Sequence, residues 1–380
     1  LLPSGWDTVV CDIQWSEPAA DSWDYHPFAP LTLDEYGRQL PAPGRFPSGF
    51  KAIAREIHGM GLQFGVHLMR GIPRQATHAG LPVLGTDYTA ADVASRTSIC
   101  FWNTDMYGVN PDHPAAQAYY DSVFALFAAW GVDYVKVDDI AWNYYAADHY
   151  CGGEVALIHR AILRSGRPMT LSLSPGPADP RQRAHLRHYA NAWRITDDFW
   201  DSWPLVERCL EACVAWVGDS GAGSWPDADM LPFGRLRMRA RGAADGLPGE
   251  FSRLSDTEVQ TVFRLWCLIR SPLMLGGDLP ASPPELLELL TDKRFLEWSQ
   301  AGSASVLLSE PAATLMAWTQ RDALPGGRWP LLFINRSETS IDIDLSEWLL
   351  LFPPLAGWEL LDADLHVEPH ASAALLLTEK

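Results

Sequence analysis

The chain has 380 residues, 47% of them hydrophobic, and a formal net charge of −18, enough for one large domain and a small one around a proper core. That acidity argues against nucleic acid, whose phosphates need a basic surface, and against anionic membranes. No apolar run is long enough to span a bilayer and no signal peptide is visible, although the chain opens at Leu1 without Met.

Short apolar runs alternate with amphipathic helical stretches along the first 300 residues. Strands are expected at Thr8–Asp12, Gln63–Leu68, Tyr134–Val137, Thr170–Leu173, Ala192–Ile195, Ser224–Ala228 and Leu273–Leu275. Helices are expected between them at Phe50–Met60, Ala115–Trp130, Glu154–Arg164, Arg181–Tyr189, Leu205–Trp216 and Ser255–Ile269. Ser255-Asp256-Thr257-Glu258 reads as a helix start, a capping residue followed by acidic ones. The segment from Arg70 to Asn110, rich in Gly, Pro, Thr and Asp, reads as loops above the strand ends. Alternating βα units imply a parallel sheet, and the closed version, the TIM (β/α)8 barrel, needs eight strands where seven are visible. The chain enters its first strand directly from Gly5-Trp6-Asp7, as though one βα unit had come before. Beyond Gln300 the pattern becomes alternating, at Ala313–Thr319, Leu331–Asn335, Ile341–Leu345 and Ala373–Leu377, with a turn at Pro325-Gly326-Gly327. The expected organisation is a barrel over 1–300 and a small antiparallel β-sandwich over 301–380.

The six cysteines form no metal-type cluster, and Cys209 and Cys213 fall at i, i+4 on an expected helix, where core packing is commoner than a disulfide. Nothing demands an oxidising compartment, which leans slightly towards the cytoplasm. The 17 tryptophans serve either as core or as flat platforms for sugar rings.

Chemistry concentrates where the expected strands end. Asp12 and Trp15 follow the first, His67 and Arg70 the second, and Lys136, Asp138 and Asp139 the third; Ser172 and Ser174 follow the fourth, Arg194, Asp197 and Asp198 the fifth, and Asp227 and Asp229 the sixth. Any one could be a structural ion pair. Six strands in succession are harder to explain by packing, because an unpaired charge taken from water costs several kcal/mol, and the C-terminal strand edge is where α/β folds build their sites. Two carboxylates with flanking Lys and Arg and aromatic walls suit glycoside hydrolysis, in which one carboxylate attacks the anomeric carbon and the other protonates the leaving oxygen. Asp138, beside Lys136, suits the nucleophile; Asp198, in the aromatic stretch from Trp193 to Trp203, suits the acid. A carboxylate-rich metal site competes with this reading, though the histidines lack ligand-like spacing.

Three motifs carry a resemblance: Tyr134-Val135-Lys136-Val137-Asp138-Asp139, Trp193-Arg194-Ile195-Thr196-Asp197-Asp198 continuing to Asp201-Ser202-Trp203, and Gly223-Ser224-Trp225-Pro226-Asp227-Ala228-Asp229-Met230-Leu231. With Arg45-Phe46-Pro47-Ser48-Gly49, Gly61-Leu62-Gln63-Phe64-Gly65 and Arg270-Ser271-Pro272-Leu273-Met274, the chain resembles glycoside hydrolase family 27, the α-galactosidase family, to about Gln300. The resemblance implies a retaining double displacement without metal or organic cofactor. Asp138 matches the nucleophile of a Lys-x-Asp motif and Asp198, not Asp197, the acid/base. Lys136 and Arg194 match residues that bind sugar hydroxyls near the reacting carbon, and Asp12 the first of an Asp-Asp pair at the far side of galactose. His67, Ser174, Trp15, Trp225 and Asp229 complete the expected substrate-binding set.

Four departures reshape that expectation. Ile13 replaces the second Asp of the pair, His67 a Tyr, and Ser174, before Pro175-Gly176, stands where the 2-substituent is read. The family's opening Gly-Trp-Asn-Ser-Trp strand, with its pocket Trp, has no match. The expected activity is an α-galactosidase, with β-L-arabinopyranosides and α-N-acetylgalactosaminides as the next substrates. A catalytically silent sugar-binding barrel is the reading from another class. A carbohydrate is the expected partner, with a homo-oligomer left open.

Overall fold

A computed structural model of the chain describes residues 1–20, 25–237, 250–346, 348 and 364–378. Its centre is a parallel sheet of six strands, β1 (Thr8–Cys11), β2 (Gln63–Met69), β6 (Tyr134–Asp138), β7 (Thr170–Leu173), β8 (Ala192–Arg194) and β9 (Trp225–Asp227), adjacent in that order. Helices return the chain between them, so every C-terminal strand end opens on the same side.

The helix Ala116–Trp130 illustrates the local logic. Tyr120, Val123, Phe124 and Phe127 recur at spacings of three and four and are buried against the sheet. The helix stops at Gly131, whose φ of 88° is a left-handed cap and whose N–H reaches the Phe127 carbonyl at 3.1 Å. β6 begins three residues later. The helix Asp256–Ile269 starts as its sequence indicates, with Ser255 and Glu258 capping each other's backbone N–H groups.

Two expectations need revision. The segment Leu273–Leu275 makes only an isolated parallel bridge, Leu275 with Leu231, in place of a seventh strand. β1 is an edge, paired with β2 alone among the described residues, and its Val9 is 47% exposed. The 70–110 segment is not all loop: β3 (Ile72–Pro73), β4 (Ala94–Ile99) and β5 (Met106–Val109) form a three-stranded antiparallel sheet, and helices cover Arg74–Ala79 and Ala90–Val93. The polar run of β4 and the two-residue β3 carry no alternation from which a strand is legible.

After Gln300 come β10 (Ser305–Leu307), β11 (Leu315–Gln320), β12 (Arg328–Asn335) and β15 (Ser372–Thr378) in one antiparallel sheet, and β13 (Ile341–Asp344) with β14 (Asp364–Val367) in another. β10 and β14 were not expected from the sequence. The period-two alternation of β11 and β12 has a clear use. Met316, Trp318, Leu332 and Ile334 belong to the same core as the barrel helices, whereas Ala317, Leu331 and Phe333 pack with Ile343 and Val367 of the second sheet. The sheet is anchored to the barrel: Gln320 Nε2 donates to the Leu268 and Trp298 carbonyls, each at 2.9 Å. No helix among the described residues is long and apolar enough to cross a membrane.

Candidate active site

The strand register brings the predicted residues together. Parallel pairing sets His67 of β2 and Ser172 of β7 level with Lys136 of β6, so His67, Asp138 and Ser174 meet at the C-terminal strand edge. Asp138, 7% exposed, receives the Ser174 hydroxyl at 2.7 Å and the Asp139 N–H at 3.1 Å on one oxygen. Its other oxygen lies 3.3 Å from His67 Nε2 and 3.7 Å from Lys136 Nζ. Burial alone would push the Asp138 carboxyl up. The Lys136 ammonium, the His67 imidazole and the Ser174 hydroxyl outweigh it and hold the group well below the usual carboxylate range. Lys136 is shared, its Nζ lying 3.2 Å from Asp12. Burial works against the lysine's charge, but Asp12 and Asp138 push its pKa up.

A second cluster faces the first. Arg194, at the end of β8, is buried; it donates to Asp198 at 3.2 Å and its Nη1 lies 2.8 Å from Asp229. Asp229 also accepts the Phe199 N–H at 2.7 Å, which ties the loop carrying Asp198 to the end of the next strand. The Asp198 side chain itself is 70% exposed. It stands at the mouth of a cavity of about 450 Å³ that has Lys136 and Asp138 inside and Asp12, Asp197 and the Pro175-Gly176-Pro177 turn around it. Gly176 is required there, since a Cβ would lie 2.1 Å from the Thr196 carbonyl oxygen.

Behind Asp138 lies a buried ionic network. Arg70 pairs with Asp139 at 2.7 Å and Glu154 at 2.6 Å, and its backbone N–H reaches the Asp138 carbonyl at 3.1 Å. Asp139 holds a φ of 59°, a left-handed conformation. Breaking such a network leaves an uncompensated buried charge, so it braces the backbone on either side of the Asp138 carbonyl.

Two expected binding residues are elsewhere. Trp15 is 2% exposed, packs on Phe50 and Trp130, and donates its indole N–H to the His67 carbonyl at 2.7 Å. Its large apolar ring gains more from the core than from the cavity. Trp225 starts β9, two residues before the strand end, and lines a separate groove with Trp6 and Arg270. Conversely, Ile13, Tyr25, Phe101, Trp102 and Trp142 line the cavity. Of these the sequence singles out only Ile13. Burial and the carboxylates of Asp138, Asp12 and Asp198 push the Tyr25 phenol up to about 12, so it stays a neutral hydroxyl.

Asp227 gives a pH signature. Burial raises its carboxyl to about 6, against the pull of Arg194. A folded-state pKa above the unfolded value stabilises below pH ~4 and is lost as the pH rises through about 6. Asp227→Asn, whose amide oxygen can still accept the Asp229 N–H, should therefore be the more stable protein at pH 7.5 by roughly 1–3 kcal/mol, with no advantage near pH 4. Urea unfolding at both pH values checks this; an Asn variant weaker at pH 7.5 contradicts it.

Residues 106–301, which carry Asp138, Asp198 and Asp229, match the family model described as alpha galactosidase A. A β-L-arabinopyranosidase of glycoside hydrolase family 27 from Geobacillus stearothermophilus is 42% identical, with a TM-score of 0.92 over all of this chain and 89% of that one. The chain belongs to glycoside hydrolase family 27. It is also similar to a candidate α-N-acetylgalactosaminidase from Bacillus halodurans C-125, at 38% identity and a TM-score of 0.83 over all of this chain and 90% of that one. Human alpha-galactosidase A is 26% identical over 351 residues, 88% of this chain and 64% of that protein. The chain spans about half to two thirds of the length of the curated relatives it matches first. These likenesses agree with the barrel-plus-sandwich class expected from the sequence. Among the described residues no group of three or more His, Cys, Asp or Glu side chains is placed to hold a metal ion.

Proposed function

We propose that this chain is a retaining exo-glycosidase. It cleaves terminal glycosides that share the ring stereochemistry of α-D-galactose and β-L-arabinopyranose. The observation that carries the reading is a buried, ionised Asp138 held by Lys136, His67 and Ser174 in a cavity whose mouth presents Asp198.

Asp138 Oδ attacks the anomeric carbon as the bond to the leaving oxygen breaks, and Asp198 gives that oxygen its proton. A glycosyl ester on Asp138 results. Asp198, now ionised, takes a proton from water as the water attacks the same carbon, releasing the sugar with its configuration retained and restoring both carboxyl groups. Lys136, with Asp12, and Arg194, with Asp229, hold the sugar's hydroxyls.

Ile13 points to the preferred sugar. It is half-buried on the cavity wall and packs with the apolar group of Met69, Cys100 and Met106. A hydrocarbon wall offers no partner to the primary hydroxyl of galactose, and losing one such contact costs roughly 1–3 kcal/mol. A β-L-arabinopyranoside lacks that hydroxymethyl group, and the 42% identical Geobacillus enzyme is an arabinopyranosidase. Both p-nitrophenyl glycosides should be cleaved, with kcat/KM about tenfold or more higher for the arabinopyranoside. A preference for the galactoside would overturn this role for Ile13 and leave the mechanism standing; release of neither would overturn the enzyme.

A further inference from the structure

His67, which touches Asp138 on one side, also borders a second and much smaller cavity of about 20 Å³. That is room for one water molecule. Besides His67, the polar side chains lining it are Asp105, Gln14, Ser16 and Gln39, and the rest of the wall is apolar. Asp105 directly precedes β5 and is buried, with its backbone fixed on both sides. Its N–H donates to Asn103 Oδ1 at 2.9 Å and its carbonyl accepts the Arg74 N–H at 2.9 Å. Gln14 Nε2 donates to Asp105 Oδ2 at 3.0 Å. The other carboxyl oxygen, like the Ser16 hydroxyl, is buried with no protein partner. Buried polar groups are as a rule paired, and beside a polar cavity of this size the partner is a bound water.

The imidazole has a matching need. His67 Nε2 lies 3.3 Å from Asp138 Oδ2, while among the described residues no protein group pairs with Nδ1. An ionised Asp138 accepts hydrogen bonds only, so Nε2 must carry a hydrogen to support it. In a neutral imidazole that makes Nδ1 an acceptor, and the hydrogen bond made at one ring nitrogen decides where the proton sits. A tyrosine hydroxyl, which stands at this position in the family pattern, has one oxygen to carry its hydrogen. An imidazole has two nitrogens and needs the choice made for it.

We propose, resting on the glycosidase reading above, that Asp105 is a positioning residue for the nucleophile. Its carboxyl holds a water in the small cavity, and that water donates to His67 Nδ1. The single ring proton is thereby kept on Nε2, directed at Asp138. Asp105 touches neither the sugar nor the reacting atoms; it acts through the water and His67. Groups that orient a functional side chain from behind in this way set how well the site is organised before the substrate arrives.

The test is a double-substitution cycle read as kcat/KM on p-nitrophenyl β-L-arabinopyranoside. Asp105→Leu replaces the carboxyl with hydrocarbon and fills the cavity; His67→Phe keeps a ring but has no nitrogen to be held. Asp105→Leu should cost about tenfold in the wild-type background and less than about twofold in the His67→Phe protein. Equal losses in both backgrounds overturn the proposal, because a carboxyl that merely packs its loop is missed in both. No loss in the wild-type background overturns it as well. A second measurement needs no Asp105 variant, should that one fail to fold. In the proton–nitrogen NMR spectrum of histidine-labelled wild-type protein at neutral pH, with His67 assigned through His67→Phe, the proton should sit on Nε2 and Nδ1 should show the shift of a hydrogen-bonded acceptor. A proton on Nδ1, or a Nδ1 without a hydrogen bond, overturns the relay. A wild-type protein that cleaves no glycoside contradicts the glycosidase reading instead, and the spectrum then decides the relay on its own.

Discussion

Asp138→Ala should lower kcat/KM by on the order of 10⁴-fold or more on every glycoside tested, a loss of about 5.5 kcal/mol in transition-state stabilisation. No neighbouring carboxylate can substitute. Asp139 is turned away into the pair with Arg70, and Asp12 is occupied by Lys136. The fold should survive, because Lys136 keeps Asp12 as its partner and the Arg70–Asp139–Glu154 network does not involve the lost side chain. Some stability is lost at neutral pH. A carboxyl held below its usual range stabilises above pH ~4, and that contribution is lost only as the pH falls towards its folded value. A cooperative melt a few degrees below wild type is the expected accompaniment. Azide, which fits where the carboxylate stood, should restore release from aryl glycosides and give a glycosyl azide of inverted configuration. Activity within a few-fold of wild type would end the assignment of Asp138.

Asp198→Ala should separate substrates by their leaving groups. An activated aryl glycoside needs little protonation, so its first step should survive within about tenfold, while melibiose, whose leaving alkoxide needs the proton, should lose 10³-fold or more. The second step loses its base on both. The aryl substrate should therefore show a burst followed by slow turnover, and azide should accelerate it with retained configuration. Equal losses on both substrates would contradict the role given to Asp198. Asp197 sits one residue away, but its carboxylate accepts the Asp198 N–H at 2.8 Å and is engaged with the backbone.

How far the sequence reaches follows from where each residue is held. Lys136, Asp138 and Asp139 are legible because they are consecutive at the end of one buried strand. His67 and Ser174 are legible because parallel pairing repeats the same level on neighbouring strands. Arg194, Asp198 and Asp229 belong together for the same reason. The aromatic walls are not legible. Tyr25, Phe101 and Trp142 sit in loops with no periodicity; the loops of Phe101 and Trp142 are joined through the side chain of Asn143, which donates to the Ile99 carbonyl and to Asp139, and Tyr25 joins them through its ring contact with Trp102, contacts that no spacing encodes. Trp15 and Trp225 show the converse, since position after or within a strand cannot tell whether a large ring turns to the cavity or the core. The free edge that β1 has among the described residues is legible as a strand count short of eight. The short sheet of β3, β4 and β5 was not, because two-residue strands and polar strands carry no signal.

The measurement that bears most directly on the account is intact and peptide mass spectrometry of the Asp198→Ala protein after mixing with p-nitrophenyl β-L-arabinopyranoside. Glycosylation should outrun the crippled second step, so one pentosyl group should accumulate and map to the peptide containing Asp138, disappearing when Asp138 is also replaced. Burst release of p-nitrophenol without an adduct, or an adduct on any other residue, would contradict Asp138 as the nucleophile and with it the retaining mechanism proposed here.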